Sequence, residues 1–157
     1  MKITAILSFL ILPFFTQAQS KVMRDLADNF PEGFVLMFYH SSLAMLNIDD
    51  DPDFARMISN IEKIKVLRID KEEDKFTNQS LLTLKENLIN EGFEELMIVK
   101  SKGYDIGVFI NEDDEDIKGF FLLMDEDKKF SAIDVLGSMA VGDISQLVDK
   151  IKQAKNF

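Results

Sequence analysis

A single histidine, His40, stands directly before Ser41 and Ser42. Hydrolases with an imidazole base need that ring aligned against a nucleophile and oriented by a third group. Neighbours in sequence rarely reach this geometry, and the chain has neither a G-x-S-x-G turn nor a cysteine. His40 therefore reads as a structural residue at the end of a strand. Carboxylates are more abundant. Asp49, Asp50, Asp51 and Asp53 form one cluster, Glu112 to Asp116 a second, and Asp125 to Asp127 a third. An EF-hand calcium loop needs Gly at its sixth position and a bidentate Glu at its twelfth. Counted from Asp49, those positions hold Phe54 and Asn60; counted from Asp125, the sixth is Phe130. Asp49, Asp51 and Asp53 remain weak candidates for a divalent cation, beside the plainer reading of solvated turns whose like charges oppose edge pairing. Acids are numerous enough for a carboxylate-dependent hydrolase, but spacing alone brings no two of them together. Gly103, Gly107 and Gly119 form no phosphate-binding loop, so no cofactor is expected. Asn78-Gln79-Ser80 matches a glycosylation acceptor at an expected helix start, a weak signal.

The charge balance narrows the partners. Asp and Glu number 28 against 18 Lys and Arg over 157 residues, a formal charge of −10. Phosphate recognition needs a basic surface, so nucleic acid is not an expected partner. With no Cys, disulfides, thiolate metal sites and thiol catalysis are excluded. An apolar fraction of 46% is too high for a disordered acidic tail.

Residues 1–18 read as a signal peptide. Lys2 precedes an apolar run, Ile3 to Phe15, and Thr16-Gln17-Ala18-Gln19 supplies small residues at −3 and −1. Cleavage after Ala18 leaves residues 19–157 as a single α+β domain, and loss of Lys2 takes the formal charge to −11. No Cys follows the run to carry a lipid, and no later segment approaches the ~20 apolar residues of a membrane helix. The expected location is exported: periplasmic, secreted or associated with the outer membrane.

Elements follow from periodicity. Val22, Leu26 and Phe30 mark a helix over 21–30, closed by Pro31-Glu32-Gly33. Phe34 to Tyr39 reads as a buried strand, with a longer helix from Phe34 as the rival. Ser41 or Ser42 then caps a short helix carrying Leu43, Met45 and Leu46. Asp51-Pro52 opens a helix with Phe54, Met57, Ile58 and Ile61 on its apolar face. Lys65 to Asp70 alternates as a strand. A helix over 77–90 carries Leu81, Leu84 and Leu88, flanked by Leu82 and Ile89, and Gly92 stops it. Four β-rich runs follow at 96–100, 104–110, 117–124 and 130–136, joined by spacers too short for parallel crossovers. A last helix starts at Asp143, with Ile144, Leu147, Val148 and Ile151 as its stripe and Gln146 completing a capping box.

Helices early and a four-strand meander late define an α+β fold, with helices packed on one face of a mostly antiparallel sheet and a C-terminal helix. The run 117–124 is apolar at every other position on both faces. A central strand covered on both sides reads this way. So does a strand that turns Phe120, Leu122 and Met124 toward a partner.

The pattern resembles the DUF4252 family of small exported Bacteroidota proteins. The resemblance is carried by the signal peptide with Gln19 after the cleavage site, SSLAMLNI, IEKIKVLRID, and FSAIDVLGSMAVGDISQLVDKI. It brings no catalytic residues, and it implies an association with extracytoplasmic sigma-factor systems. The expected function is a non-enzymatic envelope module that binds an envelope protein partner. A carboxylate-dependent hydrolase and a cation-responsive module are the alternatives.

Overall fold

The computed structural model describes residues 20–47, 49–113 and 116–147. The expected signal peptide lies outside these residues, as do Val148 and Ile151 of the expected last helix.

Ser20 caps the first helix, α1 (Lys21–Asn29), accepting from the Met23 amide. Strand β1 (Phe34–Tyr39) follows, so the rival helix from Phe34 is discarded. The strand is not the buried one expected: none of its side chains is buried and Phe34, Val35 and Tyr39 are exposed, because β1 is the edge of the sheet. Helix α2 (His40–Leu43) starts one residue before the expected Ser caps. Ser42 lies inside it and bonds back to both backbone groups of Tyr39. A 3-10 turn, Ala44–Leu46, leads to α3 (Pro52–Ile58). Asp51 caps α3 with its carboxylate, and Pro52 takes the first helical position, where its missing N–H has no cost. Ile61, expected on that helix, instead opens β2 (Ile61–Asp70), which is four residues longer than its alternating core. Helix α4 (Asn78–Asn90) begins at a Thr77/Ser80 capping box. Gly92, at φ +91°, stops it, because a left-handed residue ends the ladder and suits Gly best.

The meander is β3 (Phe93–Ser101), β4 (Tyr104–Asp113), β5 (Asp116–Glu126) and β6 (Lys129–Gly137). Each strand exceeds its apolar run at both ends or one, because polar residues there still join the backbone ladder. All six strands form one antiparallel sheet in the order β1-β2-β6-β5-β4-β3. The α+β class and the four-strand meander stand as read. After Gly137 the chain makes a 3-10 turn, Val141–Asp143, and is helical over 144–147. Gly137 sits at φ +120°, and a Cβ there would collide with the Asn60 carbonyl oxygen. Its backbone therefore packs directly on the turn that starts β2.

One expectation is corrected. Helices cover both faces of the sheet, not one. The first face packs Val66, Phe120, Leu122 and Val135 under α3 and the C-terminal helical segment, through Phe54, Met57, Ile144 and Leu147. The second packs Leu67, Phe109, Phe121 and Phe130 under α1 and α4, through Met23, Leu26, Leu84 and Leu88. The cause lies in β2, β5 and β6. Their side chains alternate faces, and both alternations are apolar, so either face left open would stay in contact with water. The face of α4 is narrower than expected: Leu84 and Leu88 are buried, whereas Leu82 and Ile89 are exposed.

Candidate interaction surface

The structure gives most sequence-level candidates structural work. The Nδ1 of His40 lies 2.8 Å from the Ile61 carbonyl oxygen. A carbonyl only accepts, so that nitrogen carries the proton, and the ring ties α2 to the start of β2. Ser42, beside it, is bonded to Tyr39 rather than to the ring. One Asp51 oxygen accepts from the Asp53 and Phe54 amides at 2.9 and 3.3 Å. The other accepts from the Gln146 side chain at 3.3 Å, so Gln146 reaches a different helix from the one it was expected to cap. Asp53 pairs with Arg56, and Asp49 lies exposed in the preceding turn. Among the described residues no three acidic or histidine side chains gather closely enough to hold a metal ion. Asp125 pairs with Lys71. Asn78 starts α4, with the Ser80 hydroxyl of the glycosylation motif engaged by Thr77.

Phe120, Leu122 and Met124 are 0%, 1% and 1% exposed. They belong to the first core, beneath α3, and are not a surface for a partner. The central-strand reading accounts for them: β4 and β6 pair with both edges of β5, and helices pack over both its faces.

Two arrangements were not read from the sequence. The first joins α1 to the rest of the fold. Asp134 of β6 accepts from the Ser20 amide at 3.2 Å and its hydroxyl at 2.7 Å. Glu91, at the end of α4, accepts from the Lys21 and Val22 amides at 2.6 and 2.7 Å. The free N–H groups of a helix start carry partial positive charge, and two remote carboxylates satisfy them here. Beside Asp134 in the ladder, Lys65 is buried. Burial first, and then Lys63, hold its amine below the ordinary lysine value of 10.5, against the opposing pull of Asp134 and Asp28. An open groove of about 300 Å³ between α1 and α4 is lined by polar side chains, Asn29, Thr77, Thr83 and Asn87 among them.

The second arrangement is an edge. Among the described residues β3 pairs with β4 alone, so its outer backbone groups face away from the sheet. Leu96, Met97, Ile98 and Val99 are 39%, 40%, 48% and 40% exposed. Such a run is normally buried in a sheet interior, because alternate residues would cover two apolar faces. Here the row stays well exposed although α4 reaches the start of β3 through Lys85 and Glu95, and Tyr104 at the start of β4 is exposed beside it. The ladder also shifts register between Glu95 and Met97, leaving Leu96 as the extra residue of a bulge. A long apolar edge with free backbone groups is a template for another strand. A sequence signal existed: Leu96 to Val99 do not alternate, and Glu94-Glu95 and Lys100 bracket them. What it lacked was the strand order that puts β3 outermost.

The family model described as "Domain of unknown function (DUF4252)" matches residues 35–147, from β1 to the C-terminal helical segment. No curated protein and no solved structure matches the chain.

Proposed function

This chain belongs to the DUF4252 family, and we propose that it is exported and works as a non-enzymatic binding module of the envelope, engaging its partner through the edge of β3. The observation that carries the reading is the row Leu96 to Val99, exposed on a strand whose outer backbone groups have no strand beside them among the described residues. Strand addition at such an edge supplies backbone hydrogen bonds for affinity and side-chain contacts for selectivity. The use of the acids supports the same reading. Asp51 caps α3, Asp125 pairs with Lys71, and Glu91 and Asp134 hold α1, so these carboxylates serve the scaffold. Export rests on the charge and apolar pattern of residues 1–18.

The test is affinity purification of the full chain from envelope fractions, beside an Ile98→Lys variant. Ile98 is half exposed, so the variant is expected to keep the native melting temperature. The expected result is an envelope-located chain with Gln19 at its N-terminus and a co-purifying partner that the variant loses. A chain kept in the cytoplasm, or a partner retained unchanged by Ile98→Lys, overturns the reading.

A further inference from the structure

We infer that the partner strand at the β3 edge is β3 of a second copy of this chain, paired antiparallel about a two-fold axis. The inference rests on the edge reading above and adds the identity of the occupant. Its warrant is the charge order along the strand. Glu94 and Glu95 stand at the N-terminal end of the apolar row, and Lys100 stands at its C-terminal end, with Lys102 in the turn beyond. An antiparallel copy lays its basic end over the acidic end of the first, twice by symmetry. A parallel copy would set acid on acid and base on base. Across the Leu96 bulge Glu95 shares the face of Lys100, since their ladder partners Phe109 and Asp105 lie four apart on β4. With the axis at Ile98, the Glu95 of one copy therefore stands opposite the Lys100 of the other, beside the Lys85 of α4 that Glu95 reaches at 3.4 Å. Between the charged ends, Leu96 to Val99 of the two chains lie side by side and cover one another. Cross-strand pairs of opposite charge and of apolar side chains both favour this apposition.

The symmetry has a second consequence. The same patch meets itself, so the contact closes at two chains. The opposite edge, β1, keeps Phe34 and Val35 exposed and takes no part. Pairing β3 of one chain with β1 of the next would instead be head-to-tail and build larger rings or filaments rather than a two-fold dimer. A single strand-to-strand contact is small, so a dimer in the micromolar range is expected.

Sedimentation velocity of the secreted form, residues 19–157, over roughly 1–300 µM reads this directly. The native chain should dimerise with concentration, less so in high salt. Glu95→Lys and Lys100→Glu should each weaken self-association by about tenfold or more, because each opposes like charges twice per dimer. Mixed together, the two variants should form a heterodimer, since every facing pair is then of opposite sign. Val35→Lys on β1 should change nothing. A chain that stays monomeric throughout, or a dimer indifferent to both charge reversals, or one lost with Val35→Lys, overturns the inference. If the monomeric chain still holds an envelope partner that Ile98→Lys releases, the edge reading stands and only the second copy falls.

Discussion

Replacing Glu91 with Ala is the sharpest test of how α1 is held. The side chain sits at the C-terminal end of α4, where the helix dipole disfavours an acid, and at the N-terminal end of α1, where it favours one. Its two oxygens take the Lys21 and Val22 amides at 2.6 and 2.7 Å. Loss of an N-terminal cap costs about 0.5–2 kcal/mol, and bonds to a charged acceptor lie toward the upper part of that range. Water can reach the exposed Lys21 amide, which lowers the cost, and relief of the α4 dipole returns about 0.3–1 kcal/mol. The net expectation is a loss of about 0.5–1.5 kcal/mol. For a domain of this size that is a fall of about 2–6 °C in Tm. Glu91→Gln keeps one acceptor without the charge and should lose about half as much. Urea unfolding followed by circular dichroism measures the loss, with exposed Glu86→Ala as the reference. Hydrogen exchange should show the Lys21 and Val22 amides losing protection while the sheet amides keep theirs. A Glu91→Ala variant within about 0.3 kcal/mol of the Glu86→Ala reference would falsify the proposed clasp, since surface changes alone stay in that range. Unchanged protection at Lys21 and Val22 would do the same.

Two further changes probe the core and the buried amine. Phe120→Glu places a carboxylate at a fully buried site between Ile110 and Val135, and should cost more than about 3 kcal/mol, enough to remove cooperative melting; a soluble variant with a native melting profile would contradict the burial. Lys65 binds its proton more weakly in the fold than in the unfolded chain, so stability rises with pH between its folded value and 10.5. Lys65→Met should therefore be more stable than the native chain at neutral pH, and the difference should shrink as pH climbs toward 10.5; a difference that is constant or widening in urea titrations sinks the assignment.

How much was legible depends on whether neighbours along the chain decide the outcome. The cap at Asp51, the stop at Gly92 and the hairpin order of the meander are local, and they stand where the residue pattern places them, while Thr77, read as the first helical residue, is the cap of α4. Ile61 was misplaced because apolar spacing continues past Ile58, while the helix ends at Ser59 and the ladder to β6 claims Ile61. Leu82 and Ile89 were overcounted because apolar type does not say which side of a helix meets the sheet.

The residue order by itself determined the class of fold, the acidic charge balance and the excluded thiol chemistry, since all of these follow from composition or short-range pattern, and it gives residues 1–18 the pattern of a signal peptide. Only the tertiary structure decided which apolar runs are core. The strand 117–124 and the row Leu96 to Val99 look alike as text. The first lies third from one edge and fourth from the other, under helices on both sides; the second is outermost and stays well exposed. The clasp on α1 has the same origin, because Glu91 and Asp134 meet Ser20 to Val22 only once α4 and β6 have packed. Burial is a property of position in the sheet, and strand order is set by contacts between residues far apart in the chain.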